Sequence, residues 1–584
     1  MSTKAIVSII VLFCVIPFAR MASSAGGPAD VNLPDDRTAR LSVRQVQISG
    51  NTSITNEELL ADLPAIYNVS DEPLSRAESQ YLYDFRVLQE IISDPGAPRQ
   101  VSLRTVQGFT RYLLSVYQRR NYAGVYVYVP EPILKGEVAL VDGILVVKVL
   151  EAPISEIGIQ FYDANQTEVE KGYLRRSAIE AWSPVEPNSV ANKKKLDDFV
   201  NLLNLSPDRY VAAVVTKGAE PNTLALKYNI YETDPWHYFI HVDNSGTNER
   251  QWAPRVGLIN TSLLGIDDKF AAMYQAKPDS TIEENYSLYG TYDFPLCGPR
   301  LRLNLFGGYS EFDIDPEAGP INFLGSGTFY GGALRYNVCQ TGGWFFDLIG
   351  SMSHEESKIT PTLFPEFLKS DVKMDLWGAG FNVHRKDDRT TTSVDFTRIE
   401  SMGGSDREEF NTARSGADPD FVILTASANH SATLDQHDIQ HLRGTVRWVE
   451  SNERLVPAKM TAFGGMYSVR GYDEYEFIAD GGLLFSVQYE YDIIKHMQID
   501  VPEAEKSDLR KVAPLVFFDY GRAKIEDPLP TEKRFEELFS VGVGTIVEIG
   551  KNFVGAVYYG HPLTPTDDTR EGKGRVNVSF MWRH

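Results

Sequence analysis

From Asp234 to its end the chain alternates apolar with polar residues, and helical period all but vanishes. In GLLFSVQYEYDII, residues Leu483, Phe485, Val487, Tyr489, Tyr491 and Ile493 share one face; Leu484, Ser486, Gln488, Glu490 and Asp492 share the other. In LFSVGVGTIVEIG, Phe539, Val541, Val543, Val547 and Ile549 oppose Ser540, Gly542, Gly544 and Glu548. In RVNVSFMWRH, Val576, Val578, Phe580 and Trp582 oppose Arg575, Asn577, Ser579 and Arg583. Successive side chains on a strand point to opposite faces, so each segment has one apolar and one wet face. A soluble β-sandwich alternates too, but its strands average about 5–6 residues. Many runs here approach the roughly 9–11 residues of a tilted strand crossing a bilayer, with aromatics near the ends. The connections also alternate in length. LLGIDD, LCGPR, QTGGW and GKN are short, whereas Asp313 to Gly325, Ser401 to Asp420, Leu455 to Gly481 and Thr564 to Gly574 are long. This pattern predicts a transmembrane antiparallel barrel of about 16 strands over residues 233–584, with short turns on one side and long loops on the other. KHMQIDVPEAEKSDLRK is the exception, a long connection on the short-turn side.

The N-terminus reads MSTKAIVSIIVLFCVIPFARMASSAGG. Lys4 supplies a positive start, Ile6 to Phe18 an apolar stretch too short to span, and Ser23-Ser24-Ala25 a small-residue cleavage site, so residues 1–25 read as a Sec-type signal peptide. A lipoprotein signal on Cys14 is disfavoured, because Phe13 stands where a small residue is needed. Residues 26–41 read as a tether. After the leader, no run of about 18 apolar residues offers a helical span. The formal charge of −22, from 79 acidic and 57 basic residues, argues against nucleic acid as a partner.

Before Asp234 one order of elements occurs twice. The first unit, residues 42–152, opens with strand LSVRQVQISG. Next comes SITNEELLADL, in which Thr55 suits a helix N-cap and Glu58 a capping box. After an extra stretch read as helical (Leu74 to Ser93), SLRTVQGFTRYLLSVYQRR puts Val106, Phe109, Leu113, Val116 and Tyr117 on one helical face. Strands VYVYVPEP and ILVVKVLE follow. The second unit, residues 153–232, repeats this. ISEIGIQFYD precedes a helix around Val169 to Trp182, and then NKKKLDDFVNLLN aligns Leu196, Phe199, Val200 and Leu203. VAAVVTKG and TLALKYNIYE close it. The order is β-α-α-β-β both times, which two unrelated α+β domains would also satisfy.

One segment keeps no period. GGMYSVRGYDEYEF, inside the long connection 455–481, carries a lone Arg470 among glycines and tyrosines. A structureless loop longer than about 12–15 residues is usually functional or disordered. In PLVFFDYGRA, Val516, Phe518 and Tyr520 read as lipid-facing, which turns Asp519 and Gly521 inward. Asp519 is then an anion within reach of Arg470, and Gly521 leaves room for the guanidinium to lie flat. A solvated loop arginine and a separate lumen aspartate are the bland alternative. Cys297 and Cys339 stand at neighbouring ends of two consecutive strands, which places them for a disulfide; a one-residue register change would leave two free thiols. No enzyme motif emerges. HEESK lacks the second histidine of a zinc helix, GVGTIV lacks a third glycine in register, and neither a nucleophile elbow nor a Walker A motif is present. His430, His437 and His441 read as solvated turn residues rather than metal ligands. No cofactor, metal or nucleotide is expected.

These features together resemble the outer-membrane transporters of two-partner secretion, the hemolysin-activator-like members of the superfamily that joins POTRA domains to a 16-stranded barrel. FGGMYSVRGYDEYEF matches the family's sixth-loop motif, with Val469, Arg470, Gly471 and Tyr472 at its tip. FFDYG matches the inner-wall motif, with Phe517, Asp519 and Gly521. HVDNSGTNERQWAPRVGLINTSLLGIDD resembles the first barrel hairpin, where Asp243-Asn244 opens the loop and Gly265 with Asp268 closes the turn. YQRRNYAGVYVYVPEP resembles a POTRA helix-to-strand corner. The resemblance implies a plug loop paired to the inner wall through Arg470 and Asp519. It also implies periplasmic capture of an unfolded exoprotein segment by β-augmentation, sought near Leu203, Val211, Val214 and Val215 of the second unit. Its implied partners are that exoprotein, outer-membrane lipid and the barrel-assembly machinery. Residues 26–40 show no amphipathic period, so no barrel-plugging helix is expected. The terminal Trp582-Arg583-His584 departs from a terminal aromatic, with Phe580 and Trp582 as outward assembly signals. Rival readings are a barrel-protein insertase of the same superfamily, which usually carries more POTRA units, a passive porin, which needs no periplasmic modules, and an outer-membrane enzyme.

Overall fold

Backbone N–H and C=O groups facing lipid must be paired within the protein, and a sheet achieves this only by closing. The computed structural model describes residues 33–584 apart from 71, 75, 131–132, 134–139, 247–251, 277–285, 315–322, 362–369, 499–507, 567–568 and 570–571. Residues 1–25, read from sequence as a signal peptide, and the first part of the expected tether lie outside the described residues. The chain divides into two compact units: Met1–Ile157 with Val185–Leu196 and Val215–Leu226, and Gly158–Pro184 with Asp197–Val214 and Lys227–His584.

The second unit contains a closed barrel of 16 strands. The first strand, Trp236–Asp243, pairs antiparallel with the second, Ala253–Asn260, and with the last, Arg575–Arg583. The alternation read from sequence sets the facing. Val516, Val541, Val543, Val576, Phe580 and Trp582 are exposed on the outer face, while Asp519, Ser540 and Asn577 are fully buried inside. Tyr274, Tyr286 and Tyr309 stack in a row at the outer rim, with centroids 6.0 and 5.3 Å apart. Trp236 stacks on Tyr238 at the short-turn end, 6.1 Å apart. The barrel is uneven in height. Its sixth to eighth strands, Phe323–Thr341, Trp344–Pro361 and Ser370–Lys386, have 19, 18 and 17 residues, whereas the second and third have 8 and 7.

Cys297 and Cys339 are free and exposed, which overturns the disulfide. The ladder between Leu301–Ile314 and the sixth strand starts at Leu301 opposite Tyr336. Continued outward, that register sets Cys297 opposite Gln340 rather than Cys339. The turn then curls back onto its own hairpin, with Leu296 N–H donating to Leu301 O at 2.9 Å. A bulge between Asn337 and Cys339 shifts the other thiol again.

In the first unit, strand Gln45–Ser49 lies parallel to Ile144–Glu151, and Val125–Tyr128 adds antiparallel on its other side. The opening strand breaks at Arg44, and its first part, Arg40–Val43, pairs instead with Arg99–Ser102. The Leu74–Ser93 stretch is not one helix. It holds a 3-10 turn, strand Leu82–Asp84 paired with Ile66–Asn68, and helix Arg86–Ser93. Helix Asn56–Leu60 has its capping box, with Glu58 N–H donating to Thr55 Oγ1 at 3.3 Å and Thr55 N–H to Glu58 Oε2 at 3.2 Å. Helix Leu103–Arg119 buries Val106, Phe109, Leu113, Val116 and Tyr117. Glu151 gathers the N–H and hydroxyl of Ser53, the Thr52 hydroxyl and the Tyr117 hydroxyl, the last at 2.6 Å.

The second module has strands Ile154–Tyr162, Glu168–Val169, Arg209–Lys217 and Leu224–Glu232 and helices Arg176–Trp182 and Lys193–Leu203. The order puts Arg209–Lys217 at one sheet edge. Leu202, not Val200, joins Leu196, Phe199 and Leu203 in the core. Within the second unit this module is bonded to the barrel's short turns. Arg209, buried, pairs with Asp267, which also takes Arg302 at 2.6 Å. Gln340 donates to Asp198 O at 3.0 Å, and Arg175 N–H to Gly265 O at 2.9 Å.

Burial pushes the Glu151 carboxyl up, but hydrogen bonds from Thr52, Tyr117 and Ser53 outweigh it and hold the group below its usual 4.5. A depressed carboxylate stabilises the fold above its unfolded value and loses that contribution as pH falls through the folded value. Glu151→Ala is expected to destabilise the first module by about 1–3 kcal/mol at pH 7, the cost of stranding its donors. Hydrogen exchange of residues 52–53 and 117 at pH 7 and at pH 3 should show protection falling with pH in the parent and little pH dependence in the variant.

Candidate functional site: the plug loop and its inner-wall anchor

The connection between Gln440–Ser451 and Gly481–Tyr491 leaves from the outer end of the barrel and folds into the lumen. A small hairpin, Thr461–Phe463 with Phe477–Ala479, stiffens its base. Its tip reaches the inner wall at Leu509–Lys524. There Arg470 Nε and Nη2 donate to the two oxygens of Asp519 at 2.8 and 2.9 Å, and the Arg470 backbone N–H donates to Asp519 Oδ2 at 3.0 Å. Ser486 donates to Asp519 Oδ1 at 2.6 Å, and Arg470 Nη1 reaches Gln488 Oε1 at 2.6 Å. Asp519 is fully buried and Arg470 nearly so. A bidentate pair with every lone pair engaged is the arrangement in which a buried ion pair recovers its desolvation cost.

The guanidinium lies over the Phe517 ring, its carbon 3.6 Å from the centroid, and 5.3 Å from that of Tyr558. The aromatic face adds a cation–π attraction of about 1–2 kcal/mol when desolvated. The space beside Gly521 is filled differently from the sequence expectation. Val469 occupies it, so that a Cβ on Gly521 would stand 2.8 Å from Val469 Cγ2. The flat surface for the guanidinium is Phe517.

Val469 and Tyr472 are fully buried with Phe463, Ala479, Ala523 and Leu538. The Tyr472 hydroxyl lies 2.8 Å from Thr564 O and accepts the Phe539 N–H at 3.0 Å. Gly471 has φ +102° and rests backbone to backbone on Gly560 of the strand Phe553–Pro562. A Cβ on Gly560 would stand 2.6 Å from Gly471 Cα and from Arg470 C. Both glycines are required by this approach. Nearer the outside, the Tyr467 hydroxyl donates to Asp243 at 2.5 Å, and Arg575 pairs with Asp473 at 2.7 Å. The loop thus holds the first and last strands across the barrel seam.

Sequence reasoning brought Val469, Arg470, Gly471, Tyr472, Phe517, Asp519 and Gly521 to this place, and the structure brings all seven together. It missed Gly560, Tyr558 and the outer ties. Ser486 and Gln488 were legible as inward by parity, though not as ligands of Arg470. The second-module candidates divide. Leu203 and Val211 are 0% and 1% exposed, buried in the module's core, and are corrected as binding residues; Val214 and Val215 are 39% and 40% exposed on the edge strand. The three histidines do not converge. His430 bonds Thr392 on the outer face, whereas His441 turns inward opposite Glu490.

Residues 225–546 match the family model "Haemolysin secretion/activation protein ShlB/FhaC/HecB". The chain belongs to this family. It is an outer-membrane transporter of two-partner secretion, with its POTRA-type modules in the periplasm, and its family works with an exoprotein partner. Among solved structures, CdiB from Escherichia coli is similar at a TM-score of 0.69 and 15% identity, covering 97% of this chain and 93% of that one. CdiB from Acinetobacter baumannii is similar at 0.65 and 12%, covering 100% and 97%. BamA from Haemophilus ducreyi lacking POTRA domains 1–3 is similar at 0.50 and 10%, covering 93% and 100%. At these identities the likeness concerns the fold. No curated protein matches in sequence.

Removing one partner of the buried pair should cost on the order of 3–5 kcal/mol by stranding the other. Arg470→Ala and Asp519→Ala are each expected to loosen the loop, and the double variant to cost far less than the sum. Limited proteolysis of the loop in folded, heat-modifiable barrels measures this; additive losses would show that the two side chains act independently.

Proposed function

We propose that the periplasmic modules capture an extended segment of an unfolded exoprotein and that the barrel passes the chain to the cell surface. The observation that carries this reading is the edge strand Arg209–Lys217. Its start is closed: the Asn204 side chain accepts the Val211 N–H at 2.6 Å and donates to Val211 O at 3.1 Å, standing in for a neighbouring strand. By strand parity Ala213, Val215 and Lys217 turn their backbone groups to the same edge. An extended peptide added there would gain ladder hydrogen bonds, with Val214, Val215 and Tyr210 offering apolar surface. Asn204 would then fix where the added strand stops.

The energy for export is supplied by the cargo. No nucleotide-binding motif occurs in the sequence, and folding outside the cell makes return unfavourable. The surrounding lipid holds the outward apolar face, and the outward Phe580 and Trp582 would be read by the assembly machinery during insertion. The plug loop, paired through Arg470 and Asp519, sets the closed lumen.

Val215→Pro removes one outward N–H and leaves the inward ladder intact, as an edge strand tolerates. Export of the exoprotein should drop by an order of magnitude or more, with normal amounts of heat-modifiable barrel in the membrane. Undiminished export by this variant would remove the edge from the mechanism.

A further inference from the structure

The inner wall is polar or small at mid-depth but apolar at one part of its outer end. Along the eighth strand the inward positions run Asn382, Gly380 and Gly378, then Leu376, Met374 and Val372. On Thr390–Gly404 they run Asp395, Thr397, then Ile399; on Val422–Thr433 they run Ser427, Thr425, then Ile423. Barrel interiors that carry water are polar, so an apolar inner patch implies a covering element.

The connection 405–421 provides it. Helix Arg407–Ala413 is capped by Asp406, which accepts the N–H groups of Glu408 and Glu409 at 3.0 Å. It buries Phe410 against Val372, Met374 and Leu376, and Phe421 and Ala417 complete the cluster. The same cluster includes Leu455 and Val456 at the start of the plug loop. The two connections are joined at a buried carboxylate. Asp480, at the end of the plug loop, takes Arg414 Nη1 at 2.5 Å and Nη2 at 3.2 Å, the Leu455 N–H at 2.8 Å and the Glu526 N–H at 2.9 Å. Arg454 adds a second tie, donating to Ser415 O at 3.1 Å and to Glu532 at 2.7 and 3.0 Å. Its hydrogen bonds hold the Glu532 carboxyl down at about 2.

We infer that the connection 405–421 is an outer gate, distinct from the Arg470–Asp519 anchor, and that Asp480 is the latch that couples it to the plug loop. Closed, it covers the apolar patch and narrows the exit. A chain leaving the barrel requires it to swing out, and Asp480 makes that movement depend on the base of the plug loop. The role in export rests on the function proposed above; the closure itself does not.

Two measurements test it, both in the full chain with Cys297→Ser and Cys339→Ser. First, Asp480→Asn keeps shape and removes the charge. Its single-channel conductance in planar bilayers, read without any exoprotein, should rise severalfold with more frequent openings, while the Arg470–Asp519 anchor stays protected from proteolysis. Conductance equal to the parent would overturn the latch. Second, Phe410→Cys with Met374→Cys, joined by a short reducible cross-linker, locks the helix to the wall. Export should stop and return on reduction; full export while cross-linked would overturn the gate. If the parent exports nothing, the function proposed above fails while the conductance arm still decides whether the mouth is latched. Gel mobility of unheated samples checks assembly, and should Asp480→Asn fail to assemble, Arg414→Lys replaces it with the same readout.

Discussion

Closure of the barrel is the constraint on which the rest depends. Sixteen strands leave no free edge in lipid only because Trp236–Asp243 pairs with Arg575–Arg583. That seam is short, with partners from Phe239 and Arg583 to Asp243 and Ser579. Side chains reinforce it at its outer end. Asn244 donates to Val576 O at 2.8 Å and accepts the Val578 N–H at 2.7 Å. Tyr467 and Asp473 of the plug loop then hold one side each. A loop that fills the lumen therefore also secures the wall around it. In a barrel built to open sideways such ties would be an obstacle; in one built to pass a chain along its axis they are compatible with function.

Two arginines do different work in the same loop region. Arg470 has a bidentate buried partner in Asp519, a further contact to Gln488, an aromatic floor and a backbone approach that only glycine permits. Arg454 bonds carbonyl and carboxylate oxygens of two other outer connections. The first defines where the tip sits; the second defines what moves with the base. The two sets of contacts are separate, one at the tip of the loop and one at its base.

The sequence revealed most where a short-range rule decides the outcome. Strand facing follows from period two, so Val516, Asp519 and Ser540 point where alternation puts them. Thr55 and Glu58 form a capping box because that box is local. The Arg470–Asp519 pair was legible because a cation in a long loop and an inward anion stood in a motif already associated. The failures are long-range. Cys297 and Cys339 depend on a register and a bulge that neither flanking segment encodes alone. Leu203 and Val211 carry the composition of a binding surface, but tertiary packing turns them into core. Gly560 lies in a strand with nothing to mark it, since its requirement arises from a loop some ninety residues earlier. The helix Arg407–Ala413 was read only as part of a long connection, because seven residues give too little period to recognise. Asp480 could not be distinguished from other loop acids until its four donors were seen to arrive from three connections.

The unequal heights of the strands bear on what happens after exit. At about 3.3 Å per residue the 19-residue strand runs about 60 Å, roughly twice the hydrocarbon thickness even before its tilt is considered. The second strand and the last but one, either side of the seam, have only 8 and 10 residues. Among the described strands the barrel wall is thus raised on one side. A polypeptide passed along the barrel axis therefore leaves beside a taller β-wall on the side of the sixth to eighth strands.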